Sequence, residues 1–201
     1  MYGHLPIYLN SYIRPDPVYT WTPSSVELNR RLRELWEQHV YWTRLTVNSI
    51  VDGLPDVQAT TARLLRNADD FATVLTPIYG TAIATNFAKL LRDHLIIAAE
   101  LVSDLKSGNA QKAQDAQKRW YANADDIANF LSHINPYWSR VAWQHMMYEH
   151  LRLLSEEVAA RIGKDYSKNV AISDTIETQA LGMADMMSSG IIQQFPSSFL
   201  H

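Results

Sequence analysis

The chain has 201 residues, of which 47% are hydrophobic and 19% charged, with a net charge of −3. That suits one domain able to bury a sizeable core and excludes a disordered chain. Lysine and arginine are scattered rather than gathered into a stripe, which argues against a nucleic-acid partner. Cysteine is absent. Disulfides, thiolate metal sites and cysteine nucleophiles are thereby excluded, as fits a cytoplasmic protein. No basic segment leads into an apolar run at the N-terminus, so no signal peptide is expected. No apolar stretch reaches the roughly 18 residues of a membrane span.

Residues 1–23 differ from the rest. Pro6, Pro15, Pro17 and Pro23 alternate there with Tyr2, Tyr8, Tyr12, Tyr19 and Trp21. Proline at this density blocks a helix, while the rings favour burial. The expectation is an extended arm that docks on the domain or on a second copy of the chain, giving a homo-oligomer.

Helical periodicity begins at Ser24-Ser25-Val26-Glu27, which reads as a capping box with Ser24 as N-cap. The seam of this first helix is Leu28, Leu32, Leu35, His39, Trp42, Thr46 and Ser49, spaced by fours and threes. Asp52-Gly53-Leu54-Pro55 ends it, with Pro55 starting a second helix that runs to about Leu75. Tyr79-Gly80-Thr81 opens a third, with seam Phe87, Leu90, His94, Ile97 and Leu101. Ser107-Gly108-Asn109 turns into a fourth, which buries Trp120, Ile127 and Leu131. Asn135-Pro136 is read as the start of a fifth, with seam Trp143, Met146, His150, Leu153 and Glu157. Gly163-Lys164-Asp165 leads to a sixth, ending near Gln194. No strand-like alternation persists for more than a few residues. The fold class is therefore all-α: an up-and-down antiparallel bundle of six helices over residues 24–201.

The six helices form three repeated hairpins, at about 24–78, 79–134 and 136–195. A histidine follows an acid at Glu37-Gln38-His39, Asp93-His94 and Glu149-His150. Some thirty residues after each comes Asn67-Ala68-Asp69, Asn123-Ala124-Asp125 or Met183-Ala184-Asp185. The histidines are spaced by 55 and 56 residues and the aspartates by 56 and 60, so the third hairpin is read as carrying about four extra residues. All three histidines fall on seams. The expectation is that each alanine makes room for a histidine and the adjacent aspartate reaches its ring.

Two readings of these positions follow. In the first, His–Asp pairs satisfy buried imidazoles and the protein is a non-enzymatic structural or interaction bundle. In the second, His39, His94, His150, Asp69, Asp125, Asp185 and Glu157 hold a divalent transition metal, Zn, Fe or Mn, in a ferritin-like style that could support redox or hydrolytic work. Glu157 lies seven residues after His150, on the same face, where the other repeats have Thr46 and Leu101. The Glu-x-x-His pair of di-iron bundles is missing. No serine sits in a nucleophile motif.

Several stretches resemble a known family: Leu35-Trp36-Glu37-Gln38-His39, Leu64-Leu65-Arg66-Asn67, Tyr121-Ala122-Asn123-Ala124-Asp125-Asp126, Ile134-Asn135-Pro136-Tyr137-Trp138 and Tyr148-Glu149-His150-Leu151. The family is an uncharacterised helical one from Bacillus-type spore-forming bacteria, and the likeness runs from about residue 8 to 195. It implies a helical fold and a spore-associated setting, and it brings no activity or catalytic residue. Some family members carry the label acetylglutamate kinase. Such a kinase needs an α/β sheet and glycine-rich phosphate loops, whereas the seven glycines here mostly punctuate helices.

Overall fold

The computed structural model describes residues 21–200. The arm expected over residues 1–23 lies outside them, apart from Trp21, Thr22 and Pro23. Six α-helices follow in order: α1 (Pro23–Asp52), α2 (Val57–Tyr79), α3 (Thr81–Lys106), α4 (Ala110–Ile134), α5 (Arg140–Ile162) and α6 (Tyr166–Gln194). A short 3-10 turn, Pro196–Phe199, closes the chain. The described residues contain no strand. None of their helices is long and apolar enough to cross a membrane.

Helix starts depart from expectation in three places, the simplest being α2, which Pro55 precedes rather than starts: Asp56 is its N-cap and Val57 its first residue. The N-cap of α1 is Thr22, not Ser24: its hydroxyl accepts from the Ser25 amide, and the Ser25 hydroxyl accepts from the Thr22 amide. This register puts Pro23 at the first helical position, where its missing N–H costs nothing. Asn135 does not open α5. It ends α4, its side chain accepts from the Tyr137 amide, and Ser139 caps α5. Two of the three turns between hairpin arms use glycine as the left-handed conformation demands, Gly53 with φ 66° and Gly108 with φ 74°, whereas in the third Lys164 takes that conformation, with φ 60°.

Each helix packs along the next, and α6 returns to α1, so the six close into a ring; α1 also touches α3 and α5. At one end, a polar knot joins the ends of the three even-numbered helices. Asn135 Nδ2 donates to the Tyr79 hydroxyl at 2.9 Å, which donates to Gln194 Oε1 at 2.8 Å. Gln194 Nε2 then donates to the Ile134 carbonyl at 3.0 Å. Trp138 fills the space beside this knot and lies against Gly190, where any Cβ would run into the indole. That contact explains a glycine inside a helix, a position that otherwise costs stability.

The core runs along the ring axis. His39, His94 and His150 all lie in it, each no more than 3% exposed. They sit at one level: the His39 and His150 ring centroids are 5.6 Å apart, and all three rings border the same two internal cavities.

Candidate functional site

Each histidine meets a carboxamide, not an aspartate. Nδ1 of His94 donates to Asn123 Oδ1 at 2.7 Å, and Asn123 Nδ2 donates to the Leu90 carbonyl at 3.1 Å. Nδ1 of His150 donates to Gln179 Oε1 at 2.8 Å, and Gln179 Nε2 donates to the Met146 carbonyl at 2.9 Å. In both, the amide clamps the ring to the carbonyl four residues before it. Asn67 occupies the same place opposite His39, with Nδ2 donating to the Leu35 carbonyl at 3.0 Å. There the clamp is stretched. His39 Nδ1 and Asn67 Oδ1 are both buried without a hydrogen-bonding partner, although Asn67 still acts to raise the imidazole pKa.

The amides fix the tautomers. A carboxamide that gives its N–H to a carbonyl offers only oxygen to the ring, so Nδ1 carries the proton. In the second hairpin Trp120 Nε1 donates to His94 Nε2 at 3.0 Å. An indole can only donate, so His94 is neutral and both its nitrogens are used. The equivalent positions in the other hairpins are Leu64 and Ile176. Their side chains carry no donor, so no indole N–H reaches Nε2 of His39 or of His150.

Burial lowers all three histidine pKa values, because the charged form loses its hydration. His94 is pushed down to about 3, with the Asn123 bond opposing. His39 is held well below the usual range by burial and then by its two histidine neighbours. His150 is lowered by burial, against the Gln179 bond.

The three aspartates lie one residue beyond the seam and bind elsewhere. Asp69 and Asp185 are exposed and Asp125 is half-buried. Asp69 accepts from Arg92 of α3. Asp125 accepts from Gln144 at 2.6 Å and Tyr148 at 3.0 Å, both of α5. Asp185 accepts from Arg33 at 2.7 Å and Asn29 at 2.9 Å, both of α1. Each aspartate therefore ties its hairpin to the next one round the ring. The expected His–Asp pairing is corrected on this point: a neutral amide can be buried opposite a ring far more cheaply than a carboxylate.

The repeat itself is also corrected. Asn67, Asn123 and Gln179 are spaced by 56 and 56 residues, so the third hairpin carries no insertion. The alanine that follows the amide there is Ala180, one turn before Ala184; both are buried.

Glu157 is 2% exposed and faces away from the histidines. Its carboxylate accepts from Arg44 Nη1 at 3.1 Å and from the Ser173 hydroxyl. Asn169 accepts from the same guanidinium and donates to the Glu157 carbonyl at 3.0 Å. Burial raises the Glu157 pKa, while Ser173, Arg44 and Arg161 oppose it. The acid thus joins α5 to α1. The seven residues proposed from sequence do not converge, and among the described residues no group of three or more His, Asp or Glu could hold a metal ion.

Two cavities flank the histidine level. One, with about 20 Å³ of room for a water-sized sphere, is bordered by His39, Thr43, Thr46, His94 and His150. The other, with about 10 Å³, is bordered by Trp36, Trp143 and the same three rings. Set beside protein-family models, curated proteins and solved structures, the chain matches none of them.

Proposed function

We propose that this protein is a non-enzymatic helical scaffold whose repeated polar residues specify the assembly of three hairpins. The observation that carries the reading is the repeated clamp, in which an amide of α4 or α6 engages both a seam histidine of the preceding helix and the carbonyl four residues before it. The aspartates support it, because each is committed to the neighbouring hairpin. The same proposal places the protein in the cytoplasm. It keeps the arm as the element that docks on a second copy or a protein partner, and keeps the kinship with the spore-former family. Elemental analysis of protein purified without chelators tests the reading, together with melts after adding Zn, Fe or Mn. No stoichiometric metal and no stabilisation are expected; one bound ion per chain with a raised Tm would overturn it.

A second reading, a metal-binding bundle, has one observation in its favour. His39 and His150 lie 5.6 Å apart between centroids, and an oxygen acceptor on the other ring nitrogen, here that of Gln179 on His150, is what a metal-bound imidazole needs to fix its orientation. Against it, no carboxylate is present at that level to balance a dication.

A further inference from the structure

We infer that the space around His39 and His150 is a binding site for a small neutral hydroxyl compound, water or a short alcohol. Eight buried side-chain nitrogen or oxygen atoms lack a hydrogen-bonding partner among the described residues, and five of them belong to residues bordering the two cavities: Trp36, Thr43, Thr46, Trp143 and His39, whose orphan is the Nδ1 turned toward Asn67. Leaving so many polar groups unpaired in one place costs stability that natural cores rarely give up. Each of these five residues is more than nine-tenths buried.

The chemistry of the lining selects the guest. The indoles of Trp36 and Trp143 only donate. Nε2 of His39 and of His150 is left with a lone pair when Nδ1 faces the amide. The threonine hydroxyls do either. A hydroxyl compound offers one proton and one oxygen and satisfies both kinds of wall. A cation would meet no carboxylate in either cavity and, in the smaller one, the indole N–H groups of Trp36 and Trp143. An anion would meet the imidazole lone pairs. An apolar guest would leave every orphan unpaired.

Size agrees. A water needs about 10–15 Å³ of such room, so the larger cavity takes one or two waters, or one molecule of two or three heavy atoms, and the smaller is at the limit. Ile50 and Ala99 border both the larger cavity and an open surface groove with about 610 Å³ of room, which also holds Ser103, Lys112 and Arg119.

Oxygen-17 water relaxation dispersion on the full chain tests this, since it counts long-lived buried waters and is blind to hydroxyl proton exchange. One or two such waters are expected, and Ala98→Leu, which fills the larger cavity, should remove at least one. Methanol titrated into the wild type separates the two guests: loss of the dispersion signal assigns the site to an alcohol, and its persistence assigns it to water. Xenon-129 chemical shifts on the wild type give the opposing result without any variant. Saturable xenon binding with no long-lived water would show a dry cavity and overturn the proposal. Stoichiometric zinc at His39 and His150 would overturn it as well.

Discussion

The first and second hairpins place the same histidine opposite the same asparagine, yet only the second completes the bonding. His94 uses both nitrogens, one on Asn123 and one on Trp120. His39 uses neither: its Nδ1 is unpartnered, and Leu64 stands where the tryptophan would be. The separations differ too, with 28 residues from His39 to Asn67 and 29 from His94 to Asn123. The amide keeps its bond to the carbonyl four residues before the ring in both hairpins, so the difference lies between ring and amide oxygen alone, and a hydrogen bond tolerates little displacement. One hairpin is thus a closed polar unit, and the other leaves polar groups facing a cavity. A repeat can keep its residues while dividing its roles.

The largest expected effect concerns acid, which strains both hairpins. The buried histidines stay neutral in the folded protein below the ordinary pKa of 6.5, down to about 3 for His94, while the unfolded chain binds protons. The unfolded state therefore holds more protons in that window, and stability falls as pH falls. His94 alone contributes up to roughly 1.4 kcal/mol per pH unit in that window, and burial of His39 and His150 acts in the same direction. Above pH 6.5 the effect disappears. Urea melts between pH 7 and 5 check this; a flat profile would show that the imidazoles accept protons in place. His94→Gln should make the slope shallower.

Breaking the closed clamp comes next. Asn123→Leu keeps the volume but strands the His94 Nδ1–H in the core, at a cost of about 1–3 kcal/mol. Chemical denaturation of this variant reads the loss directly, and a change within error would show that the clamp adds nothing.

Much of this architecture was legible in the sequence, and its limits have physical causes. Helices, turns and seams follow from apolar spacing and glycine position, and the seam histidines came with them. The partner was misread by two residues in the first two hairpins, Asp69 for Asn67 and Asp125 for Asn123. Asn67, Ala68 and Asp69 occupy adjacent positions, about 100° apart around a helix, so periodicity placed the alanine on the seam but could not say which flank faced the ring. The charge cost of burial was the signal available for choosing the amide. The third hairpin was misaligned by one turn, because Ala180 and Ala184 are both small seam residues four apart, which a 3.6-residue period cannot separate. Trp120 was recognised as buried, but its donation to His94 was not, since it depends on two helices meeting at a set height.

A smaller effect is expected when the second hairpin is made to resemble the first. Trp120→Phe keeps an aromatic ring and removes the N–H that His94 Nε2 accepts. The lost hydrogen bond is worth about 1 kcal/mol, with a further contribution from the smaller ring. Nitrogen-15 shifts of the imidazole should report a freed Nε2 lone pair with Nδ1 still protonated. If both nitrogens change together, the amide and the indole act as one network rather than as two separate bonds.

The smallest effect is expected in the first hairpin, and it bears most directly on the contrast. Asn67→Leu removes a donor to the Leu35 carbonyl and an oxygen that has no partner. Losing the bond costs about 1 kcal/mol, while removing an unpaired buried oxygen returns a similar amount. The imidazole loses no formed bond, because its Nδ1 is already unpartnered. The net change should therefore fall within about 1 kcal/mol of zero, well below that of Asn123→Leu measured under the same conditions. Equal losses at the two positions would mean that the first clamp closes in solution, with His39 drawn onto Asn67 and away from the cavity.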